Sequence, residues 1–477
     1  VRFFHWELEF PEVFFGDDRG FDVVLGNPPW ERIKLQEKEF FASRDPEIAK
    51  APTAAARRKL IGQLPETNPA LASEYEAALQ QSQDESNFIR NSGRYPLTGV
   101  GDVNVYAVFA ELAQSLVKSK GRAGIIVPSG IATDYTYRNF FQDLVDRQSL
   151  VSLYDFENRE KLFPDVDSRM KFTLLTTTGG AQFPLADFAF FLHNMKDLAD
   201  EKRHFTLTRE DLNLINPNTL TCPIFRTKTD AEITRKIYLT APVMANEKNE
   251  TNSWSVRFAT IFHMANDSYR FRKPEDLIET DFNSNRNIFI KNNEVYLPLY
   301  EAKMFMPYDH RAANVVEDNS RLFRPGQPDV TSIEEHTNPE FVVVPRYWVS
   351  KDEVINNVLD NTSRSWLFGY KNVTSSTNER TFLGTILPFV AAGHSIQFIF
   401  SNRRSIEKCA LVANLNTFIF DFVARQKLGG NNFSYFILKQ LPVIPPDRYT
   451  PELLDFIVPR VVELTYTAWD LLPFAED

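Results

Sequence analysis

The chain has 477 residues, of which 43% are hydrophobic and 24% charged, and its net charge is −10. This composition is that of a folded protein with more than one core, so it excludes wholesale disorder and predicts two or three domains. The negative charge argues against a nonspecific coat for nucleic acid, because affinity for phosphate grows with each neutralised charge. It leaves room for an enzyme with a local basic cleft.

The sequence lacks the signals that are typical of membrane proteins, secreted proteins and metal-binding proteins. No apolar run is long enough to span a bilayer and no signal segment opens the chain, so we expect a cytoplasmic protein that does not bind membranes. Cys222 and Cys409 stand far apart, which excludes a CxxC zinc site and makes a disulfide framework unexpected. The seven histidines show no metal spacing, so no metal site is expected.

The first hundred residues change character at position 31. From Val1 to Asn27 the pattern predicts strands, with a turn at Asp17–Gly20 before a buried strand at Phe21–Leu25. Residues 31–100 have helical spacing broken by prolines and predict a helical insertion. Because the chain begins at Val1 without a methionine, we expect an internal fragment of a longer polypeptide.

Helices and strands alternate from residue 104 onward, which is typical of a doubly wound α/β domain. The predicted elements are a helix at Asn104–Lys118, a parallel strand at Ala123–Val127, a helix at Tyr137–Val145 and strands at Leu150–Phe156 and Phe172–Thr178. We therefore predict a partial α/β domain over residues 1–195. Residues 196–295 predict a connecting region, and residues 296–477 a second, mixed α/β domain that contains helices at Ala410–Phe422 and Pro451–Leu471.

The most informative segment is Asn27-Pro28-Pro29-Trp30, directly after the Phe21–Leu25 strand. Two consecutive prolines remove two backbone donors and fix φ, so the oxygens of Asn27 and Pro28 lie in an open turn. Both oxygens can accept from one NH2 group and make its nitrogen more nucleophilic, while Trp30 offers a flat face for stacking. Because ligands of open α/β sheets bind beyond the carboxyl ends of strands, the position of the turn favours a site over an ordinary Asn-Pro turn.

At these residues the chain resembles the gamma-type N6-adenine DNA methyltransferases, which carry Asn-Pro-Pro-aromatic, of large type II restriction-modification or phage-defence proteins. The resemblance implies a Rossmann-like catalytic domain over residues 1–195 that flips an adenine out of DNA and methylates it with S-adenosylmethionine, without a metal. Asn27, Pro28, Pro29 and Trp30 would be catalytic, and Asn27 and Pro29 would also touch the cofactor. Phe163 or Phe172 would stack on the other face of the flipped base.

The family's Gly-x-Gly cofactor motif does not occur before Asn27. The resemblance therefore implies that the cofactor site is completed by an upstream part of the same polypeptide, and that residues 1–477 alone bind S-adenosylmethionine weakly or not at all.

Residues 296–477 resemble the family's target-recognition domain, whose partner is double-stranded DNA. Cations and amides available for phosphates or base edges are Lys303, Arg311, Arg346, Arg380, Arg403, Arg404, Arg425, Lys427 and Asn431. Two alternatives remain open at this point. The chain could be a non-catalytic DNA-recognition module of a larger complex, or a methyltransferase of protein glutamine, whose side-chain amide also presents an NH2 group.

Overall fold

The computed structural model describes residues 4–51, 54–180, 183–317, 326–358, 365–428 and 431–477. The chain forms two compact units, Val1–Glu232 and Ile233–Asp477. The predicted connecting region 196–295 is divided between them instead of forming a separate segment. Its strand Phe205–Leu207 joins the sheet of the first unit, and its strand Val256–Ala259 joins a sheet of the second.

The first unit is built on a six-stranded mixed sheet with the strand order β1-β2-β4-β3-β5-β6. The strands are β1 (Phe21–Gly26), β2 (Val117–Val127), β3 (Leu150–Glu157), β4 (Lys171–Thr178), β5 (Ala186–Leu192) and β6 (Phe205–Leu207). The predicted α/β class is confirmed. The strand at Ala123–Val127 is parallel to β1 as expected, whereas β4 runs antiparallel to both of its neighbours, because β3 and β4 are joined without a crossover helix.

Twelve α-helices accompany this sheet in the described part of the first unit, and the residues of the last of them continue past Glu232. They are α1 (Trp6–Glu9), α2 (Pro11–Phe14), α3 (Glu37–Ala42), α4 (Pro46–Ala49), α5 (Ala54–Thr67), α6 (Pro69–Asn91), α7 (Val105–Leu116), α8 (Gly130–Thr133), α9 (Arg138–Asp146), α10 (Met195–Leu198), α11 (Arg209–Ile215) and α12 (Lys228–Thr240). Helices α3 to α6 occupy the segment that was expected to be a helical insertion.

The strand expected near the start of the chain is wrong, because residues 6–14 form the helices α1 and α2. Trp6, Phe10 and Phe14 are spaced by four residues, which places their rings on one side of helical turns. All three rings pack against Phe21 of β1, with ring centroids 5.4 to 5.8 Å apart. The aromatic content of this segment favoured a strand, but the four-residue spacing of Trp6, Phe10 and Phe14 fits helical turns.

Strand β2 is longer than expected and begins directly after α7. Gly121 lies within this strand. A side chain there would meet the carbonyl oxygens of Phe21 and Asp22 at 2.7 and 3.0 Å. Glycine therefore allows β2 to approach β1 closely.

The second unit contains three sheets with the orders β15-β14-β17-β7, β13-β10-β9-β8 with β16 beside β10, and β11-β12. Their strands are β7 (Val256–Ala259), β8 (Asn283–Asn285), β9 (Ile288–Lys291), β10 (Glu294–Tyr300), β11 (Ala313–Glu317), β12 (Gly326–Val330), β13 (Trp348–Ser350), β14 (Trp366–Lys371), β15 (Gly384–Pro388), β16 (Ala391–Ala392) and β17 (Ile396–Ser401). The core includes Tyr300, Leu387 and Phe398, which are fully buried.

The helices that begin in this unit are α13 (Pro274–Glu279), α14 (Ile333–Thr337), α15 (Lys351–Asn357), α16 (Ser405–Leu415), α17 (Phe418–Lys427), α18 (Tyr435–Leu438), α19 (Pro451–Thr465) and α20 (Leu472–Glu476). The single helix expected over Ala410–Phe422 is two helices. The Thr417 hydroxyl accepts from the backbone N–H of Phe420 at 3.1 Å and caps a new helix there.

Candidate active site

The Asn27–Trp30 turn follows β1 and borders a cavity of about 330 Å3. Asn27 and Pro29 are exposed, whereas Pro28 is buried. Within the described ranges no donor hydrogen-bonds to the Asn27 side chain or to the carbonyl of Pro28. The turn therefore holds two acceptor oxygens without a described donor, and both Asn27 and Pro28 line the cavity, in the open turn that two prolines favour.

Trp30, the last residue of the turn, is half-buried. Its indole Nε1 donates to the carbonyl of Ile126 at 3.3 Å, so one edge of the ring is attached to β2. The indole belongs to an apolar cluster with Phe156, Phe172 and Phe163. The structure thus places Trp30 in the same cluster as both aromatic residues that were expected to stack on a base.

The two stacking candidates differ in their surroundings. Phe172 is 4% exposed and stacks on Phe156 at 5.4 Å, so it belongs to the core. Phe163 is partly buried and contacts the edge of the Phe172 ring at 5.0 Å. Of the two, Phe163 has the accessible ring.

Asn158 holds Phe163 in place and was not recognised from the sequence. Its fully buried amide accepts from the Phe163 backbone N–H and donates to the Phe163 carbonyl, both at 2.9 Å, and it also donates to Val166. A buried amide that satisfies both ends of a loop fixes the course of that loop. The signal in the sequence was a lone asparagine just after a strand, which is too common to be informative.

The Gly99–Tyr106 segment lies beside the turn. The backbone N–H of Ile33 donates to Val103 at 3.0 Å, and that of Val105 donates to Glu31 at 2.9 Å, so the residues after Trp30 pair with the start of α7. The Asn104 amide donates to the Tyr137 hydroxyl at 2.7 Å. This segment therefore supports the turn through backbone pairing.

A buried acid lies under the turn that follows β2. The hydroxyl of Ser129 donates to the carboxyl group of Asp155, which is 3% exposed. Burial raises the pKa of Asp155 to about 7, although the Ser129 hydrogen bond and the charge of Lys171 oppose the shift. Asp155 is therefore a group that titrates near neutral pH at the end of the sheet where the Asn27 turn also lies.

Strand β1 lies at the edge of the described sheet, with β2 as its one partner. The sequence predicted a buried strand, but Val23 is 63% exposed and Leu25 is 84% exposed. The expectation of burial is therefore wrong for this chain by itself. The 330 Å3 cavity beside β1 is lined by apolar groups, including Trp6, Phe109 and Leu112, and by no acidic residue.

Two of the arginines expected to contact DNA bind backbone carbonyls of the second unit. Arg311 is fully buried, and its guanidinium donates to four carbonyl oxygens, those of Asn338, Phe341, His336 and Thr467. Its predicted DNA contact is corrected to a structural role, because no surface of the side chain remains. Arg425 donates to three carbonyls of residues 376–379 and pairs with Asp421.

The other DNA-binding candidates lie in different parts of the second unit, most of them with partners inside the protein. Glu301 pairs with both Arg346 and Lys303, at 2.8 and 3.0 Å. The remaining contacts are from Arg403 to the Ser253 carbonyl, Arg404 to Glu407, Lys427 to the Tyr238 ring, Arg380 to the Asn416 carbonyl, and the Asn431 carbonyl to Thr374. Arg404 and Asn431 are exposed.

Residues 1–59 and 78–163 match the family model of the Eco57I restriction-modification methylases. This match contains the Asn27–Trp30 turn, the start of α7, and strands β1, β2 and β3. The part of the chain that carries the candidate site is therefore similar to methylases of restriction-modification systems. Among curated proteins, none matches the chain.

The chain also matches several solved structures at low identity and low TM-score. The type IIG restriction endonuclease BpuSI is 13% identical, with a TM-score of 0.31, and 81% of this chain covers 47% of that one. The type IIL restriction-modification enzyme MmeI, in complex with DNA, is 8% identical, with a TM-score of 0.34, and the match covers 88% of this chain and 45% of that one. The protein in the DrdV–DNA complex is 10% identical, with a TM-score of 0.37, and the match covers 94% of this chain and 44% of that one. The chain thus spans less than half the length of each.

Two further classes of feature are missing from the described ranges. None of their helices is long and apolar enough to cross a membrane. They also contain no group of three or more side chains that could bind a metal ion.

Proposed function

We propose that this chain contributes the adenine-binding half of a site-specific DNA adenine-N6 methyltransferase, in a restriction-modification or phage-defence system, together with a DNA-recognition unit. The observation that supports the proposal best is that the oxygens of Asn27 and Pro28 have no described hydrogen-bond donor, in a cavity-lining turn that ends at the indole of Trp30.

The proposed role of the turn is to bind and orient one amino group. An adenine turned out of the duplex presents its N6 hydrogens, and the oxygens of Asn27 and Pro28 accept them. Both hydrogen bonds draw the nitrogen lone pair out of conjugation with the ring and direct it toward the methyl donor. Trp30 and Phe163 hold the ring, which stabilises the flipped base by about 1–3 kcal/mol for each stacked face.

S-adenosylmethionine supplies the methyl group in methylases of this kind. The residues around the 330 Å3 cavity fit this cofactor only in part, because they offer an apolar surface and no carboxylate for the ribose hydroxyls. This chain's own residues therefore account for the acceptor side of the reaction, and no step through the cofactor follows from them.

We propose further that the cofactor-binding residues lie on another segment of the same polypeptide, whose strand pairs with β1. The support is the unpaired edge of β1 and the exposure of Val23 and Leu25, since apolar edge strands of stable sheets are normally covered. This partner would complete both the sheet and the cofactor site. Calorimetry should then show little or no binding of S-adenosylmethionine to residues 1–477 alone, and tight binding to them would contradict this part of the proposal.

Detection of N6-methyladenine in DNA from cells that express the complete protein would test the reaction. We expect modified adenines in one recurring sequence context, and their loss in the Asn27→Ala variant while DNA affinity is retained. The matched control is Asn91→Ala, an exposed asparagine at the end of α6. Methylation that persists in Asn27→Ala would refute the role of that side chain, and unmodified DNA with the unchanged protein would leave the chain as a DNA-recognition module.

A further inference from the structure

Lys371, Arg380, Tyr308 and Phe418 form a patch on the second unit, here called the cation patch. The Lys371 ammonium, at the end of β14, lies 3.4 Å from the sulfur of Met306 and 5.4 Å from the centre of the Phe305 ring. Backbone hydrogen bonds of 2.8 and 3.0 Å between Met306 and Asp309 close the turn that carries Tyr308. The patch is therefore built on a defined turn next to a sheet.

The two cations of the patch lack ion-pair partners. No described carboxylate pairs with Lys371 or Arg380, whereas Arg346, Arg404 and Arg425 of the same unit each pair with one. Burial lowers the pKa of the Lys371 ammonium to about 8. Because a partly buried cation without a counter-charge is unfavourable, an anion bound there would be stabilised.

Arg380 contacts the Phe418 ring of the patch. Its guanidinium carbon is 4.4 Å from the centre of the Phe418 ring, and it donates to the Asn416 carbonyl. One nitrogen of this guanidinium, Nη1, is buried without a hydrogen-bond partner in the described structure. Burial raises the pKa of the Tyr308 phenol, and the charge of Arg380 opposes that shift. The backbone N–H of Lys371 donates to the Leu383 carbonyl at 3.0 Å, so Lys371 lies beside the segment that follows Arg380.

The rim of the patch is apolar and open. Phe418 is 83% exposed and Ile419, the next residue, is 63% exposed. One side of the Phe418 ring contacts Arg380, and most of its surface faces solvent. A cationic surface beside an open aromatic ring suits a nucleic-acid backbone, whose phosphates bind cations while a neighbouring sugar or base packs on the ring.

We propose that the cation patch binds the phosphate backbone of the DNA substrate, with Phe418 packed against the adjacent nucleotide. This inference rests on the proposed function and adds Lys371, Tyr308 and Phe418 to the residues expected to contact DNA. Phosphate contacts fix the position of a protein on the duplex without reading its sequence. Loss of the patch should therefore weaken binding to all duplexes equally.

The salt dependence of DNA binding tests the contact directly. For the complete protein, fluorescence anisotropy with a labelled duplex would give the slope of log Kobs against log salt concentration. Lys371→Met should reduce the size of that slope by about 0.9 and weaken binding about tenfold, with the same factor for target and unrelated duplexes. The control Lys351→Met removes an exposed lysine of α15, outside the patch, and should leave the slope unchanged.

Acylation of the unsubstituted protein gives a test that needs no variant. A lysine with a pKa near 8 is largely uncharged at pH 8.5 and reacts faster with limiting acetic anhydride than an ordinary lysine. Mass spectrometry should show that duplex DNA protects Lys371 several-fold and leaves Lys351 unprotected. Equal modification of Lys371 with and without DNA would overturn the proposal, and so would protection by inorganic phosphate alone at an equal concentration of phosphate groups.

The outcomes separate this inference from the proposed function. DNA that is methylated by a protein whose Lys371 is unprotected would refute the patch and leave the reaction intact. Conversely, DNA that protects Lys371 but carries no methyladenine would support the patch and refute the reaction. A complete protein that binds no duplex DNA would refute both.

Discussion

The indole Nε1 of Trp30 donates a hydrogen bond to the carbonyl of Ile126, 3.3 Å away on β2. This bond attaches the ring to the strand beside the Asn27 turn and fixes the plane of the indole. A stacking ring that is fixed before the base arrives loses less freedom on binding. The relationship therefore connects the geometry of the sheet with the proposed capture of adenine.

Substitutions of Trp30 should distinguish the contribution of its aromatic ring to catalysis from that of its hydrogen bond to Ile126. Trp30→Phe keeps an aromatic face but loses the bond to Ile126, which is worth about 1 kcal/mol, so we expect a fall in kcat/KM of about fivefold. Trp30→Ala also loses the stacking surface, so its kcat/KM should be lower by about a further 10- to 100-fold. Steady-state methylation kinetics would show the difference, and 2-aminopurine at the target adenine would report flipping. Equal rates for both variants and for the control Trp469→Phe would contradict the stacking role.

Phe163 and Phe172 should respond differently to truncation. Phe172→Ala removes a core ring and should lower the free energy of unfolding by about 3–5 kcal/mol. Phe163→Ala should cost less stability, because the ring is only partly buried, but it should reduce methylation by about 10- to 100-fold. Urea unfolding and methylation rates measured on the same two proteins would test this. If Phe163→Ala and Phe172→Ala lost similar amounts of activity and had similar stability, the two residues would not have the different roles predicted here.

The stability of the first unit should depend on pH through Asp155. Its folded pKa, about 7, lies above the ordinary value of 3.8, so the folded state holds the proton more tightly between these values. Stability should therefore decrease as pH rises from about 4 to 7 and change little above that range. Asp155→Asn keeps an acceptor for Ser129 without the charge, and it should remove this decrease and stabilise the protein at pH 8. Urea unfolding between pH 5 and 8 measures the effect, and parallel profiles for both proteins would exclude it.

Arg311 should affect stability and not the reading of DNA. Arg311→Met preserves the length of the side chain but leaves four carbonyls without their donor, and each unsatisfied buried group costs about 1–3 kcal/mol. We expect a large drop in the urea midpoint. Arg404→Met removes an exposed cation and should change stability by less than about 0.5 kcal/mol. A reduced salt slope for DNA binding by folded Arg311→Met would restore the original prediction for this residue.

The parts of the site that depend on local chemistry could be predicted from the sequence. Two prolines after a strand leave few conformations to the chain, so the open turn at Asn27 and Pro28 follows from covalent constraints. The α/β class also follows, because the alternation of apolar segments is a property of the chain itself. The family match independently includes these residues.

Features that depend on distant partners could not be predicted in this way. Nothing in the residues around Arg311 indicates that four carbonyls from two distant segments, 336–341 and Thr467, surround it. Asn158 likewise gains its role only from the loop at Phe163. Likewise, the antiparallel direction of β4 depends on the length of the connection rather than on the residues of the strand. The first helices were missed because residue types were given more weight than their spacing.

The open edge of β1 also has a practical consequence for work with this chain in isolation. Main-chain donors and acceptors along Phe21–Gly26 can form hydrogen bonds with an extended segment of another chain. The exposed side chains of Val23 and Leu25 would pack against that segment. A second molecule of the same chain offers such a segment at high concentration. Recombinant residues 1–477 should therefore self-associate progressively as they are concentrated, and co-expression with the proposed partner segment of β1 should keep them dispersed.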